Sequence, residues 1–221
     1  VAQLPPGFRT HFWLPFDNGQ DDGGRQLGSQ LLDRLNHESV LFLRRIRRLE
    51  VGFDNDQHLT TFSVSAGSEG GGNVKREVVV SVADELKKID RRSFIIVGDG
   101  DASSLKLAFL DPMVMDSLEE HLRTFCVSTL KKKKNEGFPF VIQGDFSLTA
   151  NREEIHDEDR GNVFLRNRIV HVFRKALAIP EISKRIELYV PSLTSVANQW
   201  WRHAVHDIRE LMRSEGRVLC F

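Results

Sequence analysis

The chain has 221 residues, and its 31 Lys plus Arg balance 31 Asp plus Glu, so net charge gives no push toward nucleic acid or an anionic membrane. No run approaches the roughly 20 apolar residues of a membrane span, and two cysteines, Cys126 and Cys220, do not make a disulfide framework. The expected setting is intracellular, cytoplasm or nucleus. Val1 opens the chain without a Met, and no basic-then-apolar leader follows it, so the sequence reads as a piece of something longer.

Phe8 to Phe16 (FRTHFWLPF) is apolar and aromatic and predicts a strand, with Pro15 at its end. Asp17 to Gly24 is a polar, Gly-rich connector. Leu27, Leu31 and Leu35 recur at helical spacing and predict a short helix over Gln26 to Asn36. Leu49, Val51 and Phe53 then alternate with Arg48, Glu50 and Gly52, which predicts a strand after a bend near Arg45. Further strands are expected at Leu59 to Ser65 and Val74 to Val82, about a hairpin tip at Gly67 to Asn73. Two more, Ser93 to Val97 and Leu105 to Leu110, flank the turn Gly98-Asp99-Gly100-Asp101. A helical turn over Met113 to Glu120 and a strand over His121 to Leu130 follow, the latter paired with Phe138 to Leu148.

That last strand alternates cleanly: Phe138, Phe140, Ile142, Phe146 and Leu148 share one face, Gln143, Asp145 and Ser147 the other. It stops at the polar turn Thr149-Ala150-Asn151, which hands over to Arg152 and an acidic, helix-opening run. An amphipathic helix over Asn162 to Ala178 ends near Pro180, and a second spans Ser192 to Arg213 with Ser192 as its cap. Strands early and helices late predict an α+β domain, a mainly antiparallel sheet covered on one face by helices.

Arg152 is the sharpest candidate for chemistry. A cation at the end of a buried strand, beside a helix start, is well placed to reach an anion. The planar guanidinium fork matches phosphate oxygens as lysine does not, and a positioned arginine can contribute about 10³–10⁵ in the rate of phosphoryl transfer. The competing reading is a surface arginine paired with Glu153, Glu154 or Asp157. Asn151 has the chemistry to cap the following helix or hold the loop.

The residues "DFSLTANREEI" resemble the strand and loop of the GHKL ATPase superfamily that carries an L-x-x-(S/N)-R-E signature. The closest likeness is to the large eukaryotic proteins of the sacsin and NO VEIN type, fungal relatives included, which read F-x-F-x-I-x-A-D-F-x-x-x-A-(S/N)-R-E-x-I. Gly144 stands where those relatives often have Ala. Upstream, "ESVLFLRRIRRLEVGF" resembles the junction that follows the ATPase in the same proteins. Phe8 to Phe16 resembles the last strand of the nucleotide domain, loosened to Gly7, Thr10, Leu14, Pro15 and Phe16, with two residues between Gly7 and Thr10 where the family has none.

The resemblance implies that 1–25 is the tail of a nucleotide domain and 26–221 a transducer-like domain of S5-like arrangement. It implies a chaperone-like role in which Arg152 reaches the terminal phosphate of ATP held by the upstream nucleotide-binding domain of the same polypeptide. Asn151 and Glu153 would support the loop, Thr10 would belong to the nucleotide-domain tail, and a client or partner protein would receive the motion. ATP and magnesium are implied for the parent protein. None is expected in this chain alone, which lacks the Asn-bearing helix, the Asp-x-Gly-x-Gly loop and the lid of that family and should not hydrolyse ATP by itself. Asp99-Gly100-Asp101 lacks the second glycine and reads as a turn, and Gly70 to Gly72 form no phosphate cradle.

The alternative is a non-catalytic interaction or scaffold module. Arg44, Arg45, Arg47, Arg48 and Lys131 to Lys134 read as solvated surface, so nucleic acid is not the expected partner. His203 and His206 lack further ligands at metal spacing. Of Trp200 and Trp201, one is expected in the core and the other partly exposed.

Overall fold

The computed structural model of the chain describes residues 30, 35, 40–43, 47–52, 59–65, 69–70, 73–83, 89–100, 103–111, 138–150, 154–194, 196 and 198–217. The expected strand at Phe8 to Phe16, the turn at Met113 to Glu120 and the strand at His121 to Leu130 lie outside them, as does nearly all of the helix placed at Gln26 to Asn36.

Consecutive apolar residues in β-branched and aromatic company explain the centre of the sheet. Phe94 and Ile96 pack to one side with Ala108 and Val141, while Ile95 and Val97 pack to the other with Leu107, Phe109 and Ile142. A strand buried on both faces needs no polar alternation. The strands are β1 (Arg48–Gly52), β2 (Leu59–Val64), β3 (Glu69–Gly70), β4 (Asn73–Ala83), β5 (Ile89–Gly98), β6 (Lys106–Leu110) and β7 (Val141–Gln143). They form one sheet in the order β1-β2-β4-β5-β6-β7, with β3 paired on β4. Every ladder is antiparallel, with Ile95 opposite Phe109 and Leu107 opposite Ile142. The ladder that β7 makes among the described residues is with β6.

Three helices follow, α1 (Arg160–Ala176), α2 (Pro180–Ser183) and α3 (Gln199–Ser214), with a 3-10 turn at Ile186–Leu188. The stripe Leu165, Ile169, Val172, Phe173 and Ala176 buries one side of α1 against the sheet. Leu177 closes it, and Pro180 opens α2, where its missing N–H costs nothing. The fold is therefore α+β and antiparallel. On the face away from α1 and α3, Val40 and Leu41, 2 % and 0 % exposed, pack on Phe62, Val64, Phe94 and Ile96.

Two helix starts differ from expectation. Residues 154–159 are not helical: Ile155 makes a β-bridge, and α1 begins only after Asp159, whose carboxylate accepts from the Asn162 N–H at 2.9 Å. The cap is thus Asp159 and not Asn151. The last helix starts under Asn198, whose side chain accepts from the Trp200 N–H at 2.8 Å. Ser192 instead bonds Thr194, and Val196, 0 % exposed, enters the core ahead of the helix. Among the described residues, no helix is long and apolar enough to cross a membrane.

Candidate functional site

The chain leaving β7 keeps its alternation, with Phe146 and Leu148 facing the core and Asp145 and Ser147 exposed, although the ladder itself stops at Gln143. It then runs beside a returning leg. Leu148 bridges Ile155, the Thr149 N–H donates to the Glu154 carbonyl at 2.9 Å, and the His156 N–H donates to the Ser147 carbonyl at 3.0 Å. The Thr149 hydroxyl adds a bond to the same Glu154 carbonyl at 3.2 Å and accepts from the Glu154 N–H at 3.3 Å. The two legs, 147–149 and 154–156, are thereby closed on each other as a paired base. Arg152, Asn151 and Glu153 themselves lie outside the described residues, and so does Thr10.

Three elements hold that base. From α1, the Asn162 amide accepts from the Ser147 N–H at 2.7 Å and donates to the carbonyls of Ser147 at 2.8 Å and His156 at 2.9 Å. From α3, the Trp200 indole N–H donates to the Asp157 carbonyl at 3.0 Å. From the turn between β5 and β6, the Ser104 hydroxyl accepts from the Asp145 N–H at 3.0 Å.

Aromatic rings fill the space beneath. Phe146 meets Trp200 and Trp201 edge-on, at 6.5 and 5.8 Å between centroids, and Trp201 meets Phe138 at 5.7 Å. Neither tryptophan is the partly exposed one: Trp200 is 8 % and Trp201 1 % exposed. The Arg166 guanidinium lies 5.0 Å from the centre of the Trp200 ring and covers it. Gly144 sits under Phe146, and a Cβ there would come within 2.9 Å of the ring.

The turn at Asp99 does more than reverse the chain. Gly100 supplies the left-handed backbone, φ 74°. The Asp99 side chain is fully buried and takes a two-pronged bond from Arg168, at 2.8 Å from Nε and 2.7 Å from the terminal nitrogen. Ser103 donates at 2.7 Å, and Lys175 Nζ lies 3.6 Å from the carboxylate while donating to the Asp99 carbonyl at 3.0 Å. The Arg168 hydrogen bond, aided by Ser103 and the two cations, outweighs burial and holds the carboxyl below its ordinary range. With its oxygens so engaged, Asp99 anchors the turn to α1. The sequence places Arg168 and Lys175 seven apart, two turns along one helix face, but does not point to Asp99 as their partner.

Other candidates resolve as surface or structure. Arg47 is exposed, and Arg48 pairs with Glu50; Arg44, Arg45 and Lys131 to Lys134 lie outside the described residues. His203 and His206 are exposed on α3, His206 lying 3.8 Å from Asp207 and 4.0 Å from Glu210. Among the described residues, no three His, Cys, Asp or Glu cluster as a metal would require. No protein-family model, curated protein or solved structure matches the chain.

Proposed function

We propose that this chain is the transducer-like part of a GHKL-type ATPase of the sacsin and NO VEIN kind, and that Arg152 reaches the terminal phosphate of ATP held by a nucleotide domain earlier in the same polypeptide. The observation that supports it most is the closed loop base. Ser147, Thr149, Glu154 and His156 are paired leg to leg and moored to α1, so the two legs that flank the motif residues in the sequence form a fixed platform. A cation on such a platform loses little freedom on meeting a phosphate, and so can stabilise charge that builds in the transition state.

ATP and magnesium would belong to that upstream domain. The glycine-containing turn at Asp99 has its carboxylate committed to Arg168 and Lys175. The antiparallel sheet with α1 and α3 on one face supports the S5-like arrangement included in the proposal. Docking of Arg152 on the triphosphate would bias the chain toward the closed arrangement, and a client or partner protein would receive that motion.

The test is Arg152→Ala in the full-length polypeptide. Turnover should fall by about 10³-fold, the lower end for a positioned arginine, with ATP affinity nearly unchanged. Equal turnover would remove the role. The second reading, a non-catalytic interaction module, draws on Phe164 and Leu193, which expose 51 % and 43 % of their surface. It gains if the upstream sequence lacks the Asn-bearing helix and the Asp-x-Gly-x-Gly loop.

A further inference from the structure

We infer, on the reading of Arg152 given above, that Asn162 is its positioning residue, setting the separation of the two legs between which Arg152 falls in the sequence. Asn162 is 0 % exposed and sits in the first turn of α1, its own N–H held by Asp159. Its side chain offers an acceptor and two N–H donors. The acceptor takes the Ser147 N–H at 2.7 Å, and the donors go to Ser147 O at 2.8 Å and His156 O at 2.9 Å. Two carbonyls demand donors and one N–H demands an acceptor, so the surroundings fix which way the amide points.

Those three bonds join the outgoing leg, the returning leg and the helix through one buried group. The Ser147 carbonyl also takes the His156 N–H at 3.0 Å, so Asn162 grips the same oxygen that pairs the legs. No other side chain of this size does the same. Aspartate keeps the acceptor but faces two carbonyls with lone pairs, and leucine keeps the volume but removes all three bonds and takes from the Ser147 N–H the acceptor it has here. A loop whose base is gripped in this way has one setting of its legs, and a displacement of about 1 Å at a catalytic group is enough to cost about 10²-fold in rate.

The experiment compares Asn162→Asp, Asn162→Ala and Thr149→Val with Arg152→Ala in the full-length polypeptide. It reads hydrogen exchange over 145–156, exchange over α3 as a folding control, ATP turnover and ATP affinity. Thr149→Val is nearly isosteric and only partly buried, and it removes the two hydroxyl bonds to Glu154, so it carries the test should the Asn162 variants fail to fold. The expected result is exchange about tenfold faster over 147–156 with α3 unchanged, and turnover lowered about tenfold or more at unaltered ATP affinity. Unchanged exchange over 147–156 overturns the assignment. So does faster exchange with normal turnover while Arg152→Ala is inactive, a result that leaves the phosphate role of Arg152 intact. An active Arg152→Ala removes that role, and the positioning assignment with it.

Discussion

Arg168 on α1 closes on Asp99 at the end of β5 through two hydrogen bonds of 2.8 and 2.7 Å, and the aspartate is the wholly buried partner while the arginine keeps 27 % of its side chain in solvent. That asymmetry decides what each loss does. Without Arg168, a carboxylate is left in the interior with Lys175 at 3.6 Å and Ser103 as its remaining partners. Without the charge on Asp99, Arg168 can turn to water. Arg168→Ala should therefore destabilise the chain more than Asp99→Asn at neutral pH. Urea unfolding of the two variants at pH 7 measures the difference, and a larger loss in Asp99→Asn would contradict it.

The same pair predicts an acid limb. The Arg168 hydrogen bond lowers the Asp99 pKa in the folded state below its ordinary 3.8. Above that value both folded and unfolded chains carry the charge, and the stabilisation is fully present. As pH falls below 3.8 the unfolded chain takes up its proton first, and stability drains until the folded value is passed. Asp99→Asn has no such proton to gain. Its unfolding midpoint should fall less steeply than that of the parent across this range, and parallel curves would show that the pair contributes nothing there.

Gly144→Ala should cost about 1–3 kcal/mol, as overpacking does. The new Cβ would come within 2.9 Å of one Phe146 ring atom and 3.4 Å of another. The ring cannot yield freely, because it rests edge-on against both Trp200 and Trp201. Phe146→Leu in the same chain should recover part of the loss, and a double-mutant cycle on thermal unfolding checks the coupling. Additive effects would mean that the ring is not what Gly144 accommodates.

What could be read from the sequence was what repeats along it. Leu165, Ile169, Val172 and Phe173 declare α1 by spacing alone, and Phe138, Phe140 and Ile142 declare the inward face of their strand. Asn162 could not be read, because its partners stand 15 and 6 residues upstream and a lone asparagine near a helix start resembles any surface cap. Asp99 was legible as a turn residue but not as an anchor, since Arg168 lies 69 residues away. Adjacent tryptophans on a helix suggest one inside and one outside. Both are inside because the loop leg at 154–158 lies beside Trp200 and accepts its indole N–H, whereas Trp201 meets Phe138 and Phe146. Neighbours from elsewhere in the chain, and not the helix's own period, made that choice.

Tyr189 predicts the opposite limb. Its ring is 0 % exposed, edge-on to Phe109, and its hydroxyl donates to the Leu110 carbonyl. Burial, with Asp111 and Glu187 adding to it against Arg185, raises its pKa above the ordinary 10.0. The stability it contributes is fully present below 10.0 and is lost as pH rises from there toward the folded value. As it is the chain's one tyrosine, tyrosinate absorbance reports it directly. Ionisation should appear only with unfolding, and Tyr189→Phe should show a shallower alkaline limb after costing about 1 kcal/mol at neutral pH. Free ionisation in the folded chain would contradict the burial.

Trp200 and Trp201, 4.5 Å apart between ring centres, should separate in what they do. Trp201, at 1 % exposure, packs against Phe138 and Phe146 in the main core, so Trp201→Ala should cost about 3–5 kcal/mol and lower the unfolding midpoint of the whole chain. Trp200→Phe keeps most of the ring but removes the N–H bond to the Asp157 carbonyl and weakens the seat of Arg166. Its global cost should be only about 1 kcal/mol. The change should appear locally, as faster hydrogen exchange over 154–158 with α1 and β6 unaffected. Equal global losses from the two variants would mean that Trp200 is simply a second core residue and not a tie between α3 and the loop.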